Sequence, residues 1–164
     1  TWTPTQNILK RNLYTKNKDL NIKWLEQHRL KLYDEQGQIR DYFELHKIKK
    51  PKFVQDPGKD NALGVLKFET TSKDSIYLHD TNEKNLFDFN TRTFSSGCIR
   101  VQKYIDLASI LEKKPKEKIQ ELIDKEETVF RSVNRIPVYI DYSQVEFNEE
   151  GKPIFFPDIY SKRR

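Results

Sequence analysis

Along the first third of the chain the apolar positions keep a helical period. Ile8, Leu9 and Leu13 share one side of a helical projection, and Thr3-Pro4 reads as the helix start, threonine as cap and proline in the first turn. Trp24 and Leu25 mark a second short helix, and LKLY then alternates as a strand that runs into a turn at Asp34–Gly37. From Leu63 the period becomes two: LGVLKF, a turn at Ser72–Asp74, then SIYLH, which predicts a strand over 75–79. A helical turn is expected at Glu83–Phe87. Tyr104, Leu107, Ala108 and Leu111 then fall at helical spacing and predict a helix with one face on the sheet. Pro115 opens another, with Ile119, Leu122 and Ile123 on a common face. Ile136, Val138, Ile140 and Tyr142 alternate as a half-buried strand, and the turn at Asn148–Gly151 leads to PIFF as its hairpin partner. Strands and helices interleave without a βαβ rhythm, so the fold class is α+β.

Residues 38–60 have no clear period. They are basic, contain His46 and end in DPGKDN, which reads as a loop or small flap over a site; the chain is therefore divided into an N-terminal helical and capping segment, 1–60, and a core, 61–164. A length of 164 residues suits one hydrophobic core. Charged residues reach 34%, but ten Phe and eight Tyr in regular runs exclude a disordered chain and predict an aromatic-rich core. Residues 1–60 hold thirteen Lys/Arg against eight Asp/Glu, and residues 61–164 seventeen of each, so the net charge of +5 belongs to the first segment. Such a surface attracts an acidic polymer, anionic lipid or nucleic acid, or is simply solvated. No apolar run approaches the ~18 residues that span a bilayer. Thr1 is not a natural initiator, which reads as a mature or excised piece.

Chemistry concentrates in Ile76–Val101, which holds the only cysteine, Cys98, and His79. A thiol, with an ordinary pKa of about 8.5, needs a neighbour that removes its proton or stabilises the thiolate, and histidine is the usual one. A strand at 75–79 puts Tyr77 and His79 on one face and Ile76 and Leu78 on the other. Gly97 lets the backbone turn sharply before Cys98, so that nearby amides can face a developing oxyanion. Arg100 either holds a carboxylate or braces the loop. A lone cysteine also serves as a small buried hydrophobe, and residue types alone leave both readings open. His28 and His46 are the remaining metal-ligand candidates with Cys98, but they lack ligand spacing.

The arrangement H-x15-S-S-G-C-I-R resembles the active-site signature of L,D-transpeptidases with the YkuD-type catalytic domain. Ser96 stands where many members carry histidine, as in the large periplasmic members. TWTPTQNI, QDPGKDNALG, IYLHDTNEKNLF and DIYSKRR are similar to that subgroup too, so the resemblance covers nearly the whole chain. It implies a mostly antiparallel sheet or sandwich with packed helices, and an enzyme that joins peptidoglycan stem peptides in the periplasm by 3→3 cross-links, as a carbapenem target involved in cell shape. Cys98 would be the nucleophile and His79 its base, with Asp80 orienting the ring through its carbonyl and Gly97 supplying an oxyanion amide. Tyr77, Ser95, Ser96, Arg100 and Trp2 would bind substrate. No cofactor, metal or nucleic acid is implied. In that family several strands precede the Trp-Thr-Pro segment; their absence here predicts that a further part of the protein or a partner chain completes the sheet, or that an apolar edge is exposed near 63–79 or 136–142.

An L,D-carboxypeptidase, in which water resolves the acyl-enzyme, is the alternative within the resembling family, and two other classes fit parts of the pattern. A papain-like cell-wall peptidase or amidase usually places cysteine before histidine, the reverse of the order here. A basic glycan- or nucleic-acid-binding module would show salt-dependent binding with Cys98 blocked, yet the chain has no aromatic-and-basic repeat.

Overall fold

The computed structural model describes residues 1–74, 76–95 and 97–160. The first helix, α1 (Gln6–Asn12), is capped by Thr5, whose Oγ1 accepts from the Ile8 amide at 3.4 Å. The cap is two residues later than Thr3-Pro4 suggests, because Pro4 is buried ahead of the helix and Thr5 has the extended backbone a cap requires. Asn21 caps α2 (Ile22–Gln27), accepting from the Trp24 amide at 3.2 Å. Strand β1 (Leu30–Tyr33) follows, and the predicted turn closes with the Gly37 amide on the Asp34 carbonyl.

Residues 38–60 are not a structureless loop. They form β2 (Ile39–Arg40), a 3-10 helix (Tyr42–Lys47) and β3 (Lys52–Gln55), and β1 lies between β2 and β3 with both pairings antiparallel. In β3 the alternation is Phe53 and Gln55 inward, Lys52 and Val54 outward, a period too short to stand out beside the lysines around it. The largest buried cluster lies here: Leu9, Leu25, Leu30, Leu32 and Phe53, with Trp2, Trp24 and Tyr42 packed around it. Phe53→Ala should cost about 3–5 kcal/mol, read as a lower denaturation midpoint, since the ring is fully enclosed and its neighbours belong to three different elements.

A second sheet orders β4 (Lys67–Phe68), β5 (Leu78–His79) and β6 (Ile99–Arg100), antiparallel on one side of β5 and parallel on the other. Its strands are far shorter than the apolar runs that predicted them, and Ser75 lies outside the described residues. The helical turn after His79 is a 3-10 helix, Lys84–Asp88. Helices α3 (Tyr104–Glu112) and α4 (Lys116–Ile123) pack on each other through buried Ala108 and Ile119. So the apolar face predicted to lie on the sheet is met by a helix.

The last hairpin pairs β7 (Val145–Phe147) with β8 (Pro153–Phe155). Asn148 Oδ1 accepts from the Glu150 and Lys152 amides, and Gly151 has φ +78°, so the turn is the one read from the sequence. Its partner strand is not 136–142. A tight turn pairs the residues that flank it, and 145–147 occupy that position. Residues 136–142 form no strand, and their apolar side chains stand exposed, Tyr139 at 91%. The fold is α+β, built among the described residues as three small, mostly antiparallel sheets with packed helices. Among the described residues no helix is long and apolar enough to cross a membrane.

Candidate active site

The second sheet sorts its polar and apolar side chains by its period of two. In register across the three strands stand Lys67, His79 and Arg100, and beside them Phe68, Leu78 and Ile99. Residues directly opposite point to the same face, so Lys67, His79 and Arg100 share one side and the apolar row takes the other. Tyr77 lies on the side of His79, two residues back, with Lys67 Nζ 4.6 Å from its ring centroid. The Ile99 amide donates to the Tyr77 carbonyl at 2.9 Å and the Val101 amide to the His79 carbonyl at 2.7 Å. These bonds place Cys98, two residues before Arg100, on a diagonal from His79. Cys98 and His79, nineteen residues apart in sequence, are thus brought to adjacent strand segments by one parallel pairing.

The turn before the thiol is held by Ser95. Its Oγ accepts from the Gly97 amide at 3.1 Å and donates to the Cys98 carbonyl at 2.5 Å. Gly97 has φ +147°, in the region that favours glycine, although open space surrounds a Cβ there. Its amide, expected to face an oxyanion, is thus engaged by a serine hydroxyl two residues back, a common local turn bond. Cys98 is half-buried. Ser96 lies outside the described residues.

His79 is 4% exposed. Its Nδ1 contacts the Asp80 carbonyl, which only accepts, so Nδ1 carries the proton and Nε2 is left as the basic nitrogen. Burial lowers its pKa below the ordinary 6.5, and the Arg100 guanidinium adds to the lowering; the Asp80 carbonyl and charge and the Leu63 carbonyl oppose it without prevailing. A histidine in this setting favours the neutral form.

Arg100 donates from Nη2 to Glu83 at 2.9 Å, while its Nη1 is buried without a hydrogen-bond partner among the described residues. A buried guanidinium nitrogen left unsatisfied is costly unless something arrives to accept from it. Trp2 exchanges main-chain hydrogen bonds with Gln55 (3.0 and 2.8 Å), its ring centroid lies 6.3 Å from that of His28, and it packs against the first sheet's cluster. His28 bonds through Nδ1 with the Trp24 carbonyl at 2.9 Å, and His46 is exposed. No group of three His, Cys, Asp or Glu side chains fit to hold a metal occurs among the described residues.

Sequence reasoning missed Lys67, Gly64 and Lys84. Lys67 becomes a site-facing residue only through the β4–β5 register. Gly64, at φ +62°, lies so close to Asp80 that an added Cβ would come within 2.3 Å of its Oδ2. Lys84 pairs with Asp80 at a spacing of four, a visible signal that its non-helical surroundings obscured. The loop carrying Gly64 is tied to β3. Gln55 Oε1 accepts from the Ala62 amide at 2.9 Å, and Asn61 Nδ2 donates to the Asp56 carbonyl at 2.7 Å. The first sheet therefore anchors the loop that carries Gly64.

Residues 1–140 match the family model described as the L,D-transpeptidase catalytic domain, YkuD. Over 171 residues the chain is 33% identical to a protein of Haemophilus influenzae (strain ATCC 51907 / DSM 11121 / KW20 / Rd) named "Putative L,D-transpeptidase", covering 99% of this chain and 35% of that relative. The chain thus spans about a third of the relative's length.

Proposed function

The chain belongs to the YkuD family of L,D-transpeptidase catalytic domains, and from that membership we propose that it is a peptidoglycan L,D-transpeptidase working through an acyl-enzyme on Cys98. The observation that carries this reading is the parallel β5–β6 register, which sets Cys98 diagonal to a histidine whose Nδ1 is already committed to the Asp80 carbonyl. The thiol sulfur attacks the amide carbonyl joining the third residue of a tetrapeptide stem to its terminal D-alanine, and His79 Nε2 takes the thiol proton. The Cys98 amide stabilises the tetrahedral oxyanion, a contribution of roughly 3–4 kcal/mol for a donor of this kind. Collapse breaks the C–N bond, His79 returns the proton to the leaving amine, and D-alanine departs. The side-chain amine of a second stem then attacks the thioester, yielding a 3→3 cross-link and restoring the thiol; water in its place yields a tripeptide.

Arg100 suits a substrate carboxylate, since Nη2 is held by Glu83 and Nη1 awaits an acceptor. Tyr77 and Lys67 border the same face. Ser95 positions the nucleophile's turn. In this reading residues 1–60 support and cap the site in 61–164, and the protein acts in the periplasm. A further segment of the protein, or a partner chain, covers the apolar residues at 136–142.

Intact mass after incubation with a carbapenem tests the acyl-enzyme: one adduct is expected, mapping to Cys98. An unmodified protein, or an adduct on another residue, would refute it. With a tetrapeptide donor, release of D-alanine and a cross-linked dimer are expected together. The pH dependence follows from His79. Because burial holds its pKa below 6.5, the neutral base persists to pH values below that figure and activity disappears only as pH falls through the lowered value. An acid limb centred above pH 6.5 in kcat/KM would contradict this assignment of the base.

A further inference from the structure

The Asp80 side chain, unlike its carbonyl, has no place in the chemistry above, yet it is 1% exposed beside the base. Its Oδ2 accepts from the Val65 amide at 3.1 Å, and its Oδ1 pairs with Lys84 Nζ. The Asp80 amide donates to the Leu66 carbonyl at 2.9 Å. The carboxylate rests against Gly64, where no Cβ fits. Lys84 Nζ also lies 4.1 Å from the ring centroid of Tyr104, at the start of α3. The Asp80 carboxylate and amide are therefore held from two pieces of chain, the 61–66 loop and the segment after β5, and Lys84 in turn rests over the Tyr104 ring of α3. That peptide carries the oxygen that accepts from His79 Nδ1.

We propose that Lys84 and the Asp80 carboxylate form a positioning clasp that locks the Asp80 carbonyl onto His79 Nδ1 and so fixes the tautomer and orientation of the base. This rests on the reading of His79 as the base for Cys98. The clasp has two consequences of different kinds. Mechanically, the ion pair stops the Asp80 peptide from turning, so that Nε2 stays the basic nitrogen. Electrostatically, the carboxylate favours the imidazolium, and Lys84 offsets that charge. The other charged or titratable groups around His79 are Arg100 and Cys98 on the β6 side, Lys67 on β4, Tyr77 on β5 and Glu83, which pairs with Arg100. None of these is altered by changing the clasp.

The test is the rate of Cys98 alkylation by iodoacetamide against pH in the full chain, with kcat and KM measured in parallel. Lys84→Met removes the offsetting charge from a side chain that is half exposed, so folding should survive. Its plateau rate should fall about tenfold as the base loosens. Its acid limb should move up by about half a pH unit, because the uncovered carboxylate favours the imidazolium. Asp80→Asn should move the limb down, the opposite way, and Lys84→Arg should restore both rate and limb. In turnover the loss should fall on kcat with KM unchanged. Limbs that stay put, or move in the same direction in both variants, would overturn the clasp, as would a Lys84→Met plateau equal to the parent. Should Asp80→Asn not fold, the Lys84→Met and Lys84→Arg pair decides alone. Alkylation needs no peptidoglycan substrate, so a protein that fails to transpeptidate but shows the opposed limbs would refute the proposed function and leave the clasp standing.

Discussion

Cys98→Ala is expected to abolish both turnover and β-lactam acylation while the protein keeps its melting temperature within a few degrees. The thiol sits half-buried next to β6 of the second sheet, outside the Leu9–Phe53 cluster of buried apolar side chains, so removing one sulfur leaves that cluster untouched. Catalysis has no substitute for it, because the chain contains no other cysteine. Cys98→Ser should be almost as inactive. A hydroxyl is a far weaker acid than a thiol, and a single neutral histidine in this environment does not generate an alkoxide. The rate loss should be at least about a thousandfold, the size expected when a covalent nucleophile is removed. Residual cross-linking in Cys98→Ala within tenfold of the parent would exclude the acyl-enzyme, and a collapsed melting curve would show the residue to be structural.

Gly64→Ala should be the most damaging single-methyl change in the molecule. The new Cβ would lie 2.3 Å from Asp80 Oδ2, 2.5 Å from its Cγ and 2.6 Å from the Thr81 amide nitrogen, and both residues are fully buried. The carboxylate cannot swing aside without leaving Lys84 and the Val65 amide. The backbone at φ +62° adds about 1–2 kcal/mol of strain for any side chain, and overpacking about 1–3 more. A loss of roughly 2–5 kcal/mol follows, measured as a shift in the urea midpoint at constant slope. Activity should drop more than stability explains, since relief of the clash pushes the Asp80 peptide that orients His79. A Gly64→Ala protein with parental stability would mean that the loop opens freely there. Parental stability with lost activity would place the whole effect on the base.

Much of the local structure was legible in the chain. The Asp34–Gly37 turn, the proline before α4 and the Asn148–Gly151 turn are each short-range: the interacting groups lie within a few residues, so composition and spacing contain the whole interaction. The extent of the strands was not legible in the same way. Apolar alternation at 63–68 and 136–142 states which face a strand would bury, but a strand exists only where another stretch of backbone accepts its hydrogen bonds, and for 136–142 none of the described residues does so. The opposite error arose at Lys52–Gln55, where a four-residue period among lysines gave too little signal against the charge around it, yet β1 supplied every partner.

The site divides along the same line. Sequence alone determined the candidate groups: one thiol, a histidine on an alternating run and a glycine ahead of the thiol, all within one stretch and all matching a family signature. Only the tertiary structure decided how they meet. The parallel β5–β6 register sets the backbone of Cys98 diagonal to His79 and pairs Arg100 with it, and the β4 register adds Lys67 to the same face. Ser95 Oγ accepts from the Gly97 amide, and Trp2 packs against the cluster of the first sheet. Asp80 acquires a buried side-chain environment from Gly64, Val65 and Lys84. The reason is physical: identity and local backbone preference are properties of single residues and their near neighbours, whereas burial, register and the sharing of one face arise from pairings between distant segments, and no period in the sequence records which segments pair.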